Sequence, residues 1–166
     1  MKTNVLLILL VVLAAPAPAA GIYDLELVPV KPGIYLIRRP DPLRQPVECN
    51  AAVIVNEQDV VVVDGGGSPL AASNAIKLIR SLTDKPVSTL ITTHWHGDHN
   101  FGNQVYRATF PQIRIISHEN TYRNMTGEAM SYVKTYPKQI EDYMHELEAQ
   151  AAKKPLSPRA AGMLED

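Results

Sequence analysis

The chain has 166 residues, 46% of them apolar and 20% charged. That is the length of one domain and the composition of an ordinary soluble globular protein. Sixteen basic and seventeen acidic residues leave a net charge of −1, so there is no basic field to attract nucleic acid and no acidic tail to mimic it.

In chain order, the first element is an apolar leader. Lys2 is followed by the unbroken apolar run Val5–Ala15 and by Ala17-Pro18-Ala19, a small-x-small pattern. The run is shorter than the roughly 20 residues of a permanent membrane helix. Residues 1–20 are expected to be a cleaved secretory signal and 21–166 the mature domain, periplasmic or secreted, with no stable membrane insertion after cleavage. The competing readings are a buried core helix or a membrane anchor. No twin arginine precedes the run and no cysteine follows it, which favours the general secretory route over a lipid-anchored form. Cys49 is the only cysteine. It excludes an intramolecular disulfide, and with no histidine near it a packing role is expected rather than a nucleophilic one.

Tyr23–Val30 reads as a strand, with Pro29 marking an edge position. Lys31-Pro32-Gly33 is a turn and Ile34–Arg38 a second strand. Three prolines make Arg39–Glu48 a loop. Ala51–Val55 and Val60–Val63 are β-branched runs joined by Asn56–Asp59, a hairpin pattern. The second run is apolar throughout, which predicts burial on both faces. Ser68 and Pro69 open a helix carrying Ala72, Ile76, Ile79 and Leu82 at helical spacing. It ends near Thr83–Pro86, and Val87–Thr92 is the next strand. Asn103–Thr109 is a short helix and Ile113–Ser117 a strand. Glu119–Lys153 is mainly helix, interrupted near Pro137, with Ile140, Tyr143, Met144, Leu147 and Ala151 on one face. Two hairpins, βαβαβ and a helical tail predict a mixed α/β architecture with a sheet packed on helices.

Chemistry concentrates between the strand Val87–Thr92 and the helix Asn103–Thr109. Three of the five histidines lie in His94-Trp95-His96-Gly97-Asp98-His99. Imidazole nitrogen and carboxylate oxygen are zinc ligands. Alternate positions let His94 and His96 converge on one ion. Adjacent Asp98 and His99 diverge from that pair and reach a second ion, with Gly97 permitting the bend. Sites in α/β sheets gather beyond the carboxyl ends of strands, where this loop falls. Asp98 would also stand near a helix start, which favours negative charge. Asp64, in Asp64-Gly65-Gly66-Gly67, has two readings: a carboxylate that supports the histidine loop, or a turn residue bonding nearby backbone. Trp95 is expected beneath the site or on its rim. His118 ends a strand at the same edge. His145 is expected to face solvent.

The run His-x-His-x-Asp-His after an apolar strand resembles the signature of the metallo-beta-lactamase superfamily. Thr92-Thr93 before it and Asn100-Phe101-Gly102-Asn103 after it are similar to family members, and Val61-Val62-Val63-Asp64-Gly65-Gly66 looks like the family's strand ending in aspartate and glycine. The resemblance runs from Gly33 to His118. It implies an αββα sandwich, one or two zinc ions, and hydrolysis by a metal-activated water. It assigns His94 and His96 to the first metal, and Asp98 and His99 to the second, with Asp98 also orienting the nucleophilic water as the catalytic carboxylate. The superfamily hosts many reactions on one site, so the resemblance does not choose a substrate; export makes an extracytoplasmic small molecule the expectation: a lactam, ester or thioester, with phosphoester or sulfate ester behind.

The family's later metal ligands find no match here, because His145 is the one histidine after His118. The chain is therefore expected to be the N-terminal half of a longer hydrolase, or a truncated product. Half a sandwich would leave a sheet face exposed and open to self-association. The alternative is a catalytically inactive metal-binding remnant.

Overall fold

A computed structural model describes residues 24–40, 47–127, 131, 133–134 and 136–156. The expected signal at 1–20 lies outside the described residues. Among those described, no helix is long and apolar enough to cross a membrane.

Six strands form one sheet in sequence order: β1 (Glu26–Lys31), β2 (Ile34–Arg38), β3 (Ala51–Val55), β4 (Val60–Val63), β5 (Val87–Thr92) and β6 (Arg114–Ser117). β1–β4 pair antiparallel; β4, β5 and β6 pair in parallel. The switch follows from the connections. Four residues, Asn56–Asp59, join β3 to β4 and can only make a hairpin; Asn56 and Asp59 close it through backbone and side-chain hydrogen bonds of 2.9 and 2.8 Å. Helix α1 (Pro69–Leu82) carries the chain from β4 back to the start of β5, as a parallel connection requires. β1 lies at the sheet edge with a register break between Pro29 and Lys31, where proline's missing N–H costs no ladder bond.

α1 begins as expected. Ser68 Oγ accepts the Ala71 N–H at 3.0 Å, and Pro69 stands at its first position. Ala72, Ile76 and Ile79 are buried and meet Val53, Val60, Val62 and Leu90 in the core, together with Tyr106 from α3 (Asn103–Thr109) and the following Phe110 and Ile113. Each fully buried valine or leucine there contributes about 1.5–3 kcal/mol by its removal from water.

The expectation that Val60–Val63 is buried on both faces is corrected. Val60 and Val62 are fully buried, whereas Val61 and Val63 are half-buried. Helices α1 and α3 pack on one face of the sheet. Across the other, the pairings align Val28, Leu36, Ala52, Val63, Ile91 and Ile116 in one apolar row. Ile91 and Ile116 are 36% and 43% exposed. The sheet with α1 and α3 on one face makes one sheet-and-helix layer pair of the expected sandwich.

The tail contains α4 (Glu119–Thr126) and α5 (Tyr136–Ala151). The expected interruption near Pro137 is the break between α4 and α5; Pro137 itself sits in the first turn of α5, where its missing N–H has no helical partner to lose. On the predicted apolar face only Leu147 is buried, while Ile140 and Tyr143 are each 46% exposed.

Candidate metal centre

β4 and β5 are parallel neighbours, and Val63 pairs with Ile91. Their carboxyl ends therefore place Asp64 and Thr93 side by side, although 29 residues separate them. Asp64 is 5% exposed and holds a positive φ of 66°, a conformation that aspartate tolerates better than most residues. Its carboxylate accepts the Thr93 N–H at 2.9 Å and the Thr93 hydroxyl at 3.0 and 2.9 Å. Its Oδ2 also lies 2.9 Å from His99 Nδ1.

These contacts determine which histidine nitrogens are free. A carboxylate only accepts, so His99 Nδ1 donates to Asp64 and the neutral ring's Nε2 keeps its lone pair. Thr93 Oγ1 has one proton, which goes to Asp64. Its oxygen, 3.0 Å from His94 Nδ1, then accepts from that nitrogen, leaving His94 Nε2 as an acceptor as well. One buried carboxylate thereby sets the tautomer of two histidines, one in each expected metal pair.

The loop is held from below. Helix α2 (Gly97–Asn100) starts inside the motif, and Asp98 lies in its first turn. Buried Asn100 donates its two amide hydrogens to the carbonyls of Trp95 and His96, at 2.8 and 2.6 Å. Gly65 N–H bonds His99 O, and Gly102 N–H bonds Gly66 O, both at 2.9 Å. Asn103 Nδ2 bonds Thr92 Oγ1 at 3.0 Å and ties α3 to the end of β5.

The structure brings His94, His96 and His99 together. The His94 ring centroid is 4.8 Å from that of His96 and 4.0 Å from that of His99. The expected divergence of His99 from the first pair is therefore corrected. The turn into α2 and the pull of Asp64 on Nδ1 bring its ring back against His94. Gly97 is needed for space rather than for a positive φ: a Cβ there would stand 2.5 Å from the Phe101 ring. Trp95 is half-buried and meets the His96 ring edge-on at 4.7 Å. His118 Nδ1 accepts the Asn120 N–H at 3.1 Å and caps α4. His145 is exposed beside Glu148. Cys49 is buried, and burial pushes its thiol far up, out of the nucleophilic range.

Glu48 was not singled out by its sequence context. Its carboxylate accepts the Gly67 N–H at 2.5 Å. Burial raises its pKa above the usual carboxylate value, against the lowering effects of that bond and of Arg39; the neighbouring Asp98 charge raises it further.

The donor chemistry fits zinc. His99 Nε2 and Asp98 Oδ2 are 3.3 Å apart. Both are acceptors in the tautomer that Asp64 imposes, so they repel unless a proton or a cation is shared between them. Two ligands of a tetrahedral zinc at about 2.0–2.1 Å stand about 3.3 Å apart. Among the described residues, no group of three or more histidine, cysteine or acidic side chains is arranged to hold a metal ion.

The metallo-beta-lactamase superfamily model matches residues 44–159. The fold is similar to the metallo-beta-lactamase FIM-1 from Pseudomonas aeruginosa, solved in its mono-zinc form, at 14% identity and TM-score 0.52, covering 61% of this chain and 45% of that one. It is similar to a metallo-beta-lactamase from Hirschia baltica at 18% identity and TM-score 0.53, covering 61% and 46%. The enzyme from Pontibacter korlensis gives 16% identity and TM-score 0.52, covering 59% and 45%. This chain thus spans less than half the length of those solved structures. Comparison with curated proteins gives no match. The match to the family model over most of the chain, on a sheet that ends in this histidine loop, shows that the chain belongs to the metallo-beta-lactamase superfamily.

Proposed function

We propose that the chain works as a zinc-dependent hydrolase on a small-molecule lactam, ester or thioester, with His94 and His96 on one ion and Asp98 and His99 on a second. The observation that carries this reading is the pair of facing acceptors, His99 Nε2 and Asp98 Oδ2, 3.3 Å apart above a tautomer-setting Asp64. Zinc, when bound, acts as a Lewis acid that activates water near neutral pH and polarises a scissile carbonyl. The chain's own residues position that chemistry. Asp64 keeps the His99 Nδ1 proton in place and, through Thr93, that of His94. The Asp98 carboxylate has a second oxygen that can accept a hydrogen bond from the attacking water and aim it. Net charge near zero gives no support to a nucleic-acid substrate.

Zinc titration against a chromophoric chelator tests the site. His94→Ala or His96→Ala should weaken one binding event, and Asp98→Ala or His99→Ala the other, each by about ten-fold or more. Unchanged affinity in all four variants refutes the reading. A second reading, a metal-binding remnant without turnover, is favoured by the absence of a three-donor set among the described residues. Tight zinc with hydrolysis of a chromogenic lactam or a thioester supports the first reading; loose zinc without hydrolysis supports the second.

Two further properties belong to this proposal. The apolar row through Val63, Ile91 and Ile116 supports self-association through the open sheet face. The Lys2, Val5–Ala15 and Ala17–Ala19 pattern supports export and a mature start at Ala20 or Gly21. An intact Met1 on the secreted product, read by mass spectrometry, refutes export with cleavage.

A further inference from the structure

The Asp98 end of the metal loop rests on a glycine turn, and that turn rests on Glu48. Gly67 lies between the two. A Cβ on Gly67 would stand 3.0 Å from Asp98 Cα, 3.3 Å from Glu48 Oε2 and 3.4 Å from Glu48 Oε1. The Glu48 carboxylate is mostly buried and accepts the Gly67 N–H at 2.5 Å. It also faces Gly66, whose Cβ would meet Oε1 at 3.2 Å and whose φ is +87°. A turn with two adjacent glycines is conformationally permissive and needs an external anchor. The other anchors of this segment, Gly65 N–H to His99 O and Gly102 N–H to Gly66 O, do not reach Gly67.

We propose that Glu48 is a positioning residue for the metal loop: its carboxylate fixes the Gly66–Gly67 turn, and the turn fixes the backbone of Asp98. Its effect on metal rests on the reading of Asp98 and His99 as ligands. Its effect on the turn does not. Position and charge make opposite demands on substitutions. Glu48→Gln keeps the reach and one acceptor oxygen while losing the charge. Glu48→Asp keeps the charge but draws the acceptor back by about 1.5 Å, one carbon–carbon bond, and loses the Gly67 N–H.

The full chain is compared as wild type, Glu48→Gln and Glu48→Asp, first metal-free and then in a cobalt(II) titration followed by its visible spectrum. In the metal-free protein, amide exchange at Gly67 should accelerate about ten-fold or more in Glu48→Asp, with a shifted Asp98 amide resonance, and stay within about two-fold of wild type in Glu48→Gln. Cobalt affinity should fall about ten-fold in Glu48→Asp, with an altered spectrum, and be restored in Glu48→Gln. A Gly67 amide unaffected by Glu48→Asp, or a Glu48→Gln variant as impaired as Glu48→Asp, overturns the positioning role. If wild type binds no cobalt or zinc, the metal reading fails by itself, and the Gly67 and Asp98 amides decide the role of Glu48.

Discussion

Asp64→Asn should leave the chain folded while spoiling the proposed metal site. Asparagine matches aspartate in size and tolerates the positive φ of 66° at this position. Its carbonyl oxygen can still accept the Thr93 N–H and hydroxyl. Its amide, however, replaces the oxygen that lies 2.9 Å from His99 Nδ1. An amide donates, so His99 must turn Nδ1 into an acceptor and carry its proton on Nε2, the nitrogen that faces Asp98. The ring then presents N–H where a metal requires a lone pair. One neutral hydrogen bond replaces a charge-assisted one, so the loss of folding stability should be about 1 kcal/mol. Zinc affinity should fall about ten- to hundred-fold. Asp64→Ala provides the contrast. It strands the Thr93 and His99 donors and places a Cβ residue at positive φ, for a loss of about 2–4 kcal/mol. The assays are urea denaturation of metal-free protein, chelator-competition zinc titration, and nitrogen NMR of the His99 ring. An asparagine variant that binds zinc as wild type does, with the proton still on Nδ1, would refute the tautomer argument.

Other substitutions probe the rest of the frame. A Cβ on Gly102 would stand 2.0 Å from Gly65 O and 2.7 Å from Ala72 Cβ, so Gly102→Ala should destabilise by about 1–3 kcal/mol or more, read as a lower thermal midpoint. Leu90 is fully buried in the core, and Leu90→Ala should cost about 2–5 kcal/mol in urea denaturation; a loss under about 1 kcal/mol would contradict the packing described. The Ser88 hydroxyl, then the Asn56 amide, lower the Asp59 pKa from its ordinary 3.8. A carboxylate depressed by folding contributes stability that is present above pH 3.8 and is lost as pH falls through the native value; Asp59→Asn should flatten that acid limb, and an unchanged limb would count against it. If the chain self-associates as proposed, Ile91→Lys with Ile116→Lys should abolish it in sedimentation velocity while changing the thermal midpoint little, since both side chains are substantially exposed.

Elements whose cause is local were legible in the chain. Ala51–Val55 and Val60–Val63 are runs of β-branched and apolar residues, and Val87–Thr92 is such a run apart from Ser88. α1 carries its own cap and proline, and its apolar positions recur at helical spacing, so all four appear at the predicted bounds. The cluster of imidazole and carboxylate side chains in His94–His99 was equally plain, because the motif is contiguous. Tertiary structure decided whatever depends on contacts between distant residues. That Val60–Val63 buries one face rather than two depends on what lies across the sheet, not on the valines. Thr93 looked like one more residue before the motif until Asp64, 29 positions earlier, gave its hydroxyl a direction. His99 meets the same carboxylate across 35 positions, and Glu48 reaches Gly67 across 19. Hydrophobic periodicity and capping are written into neighbouring residues. The hydrogen bonds from Asp64 that orient the His94–His99 loop close long loops, and their partners become neighbours only when parallel β4 and β5 bring their carboxyl ends together.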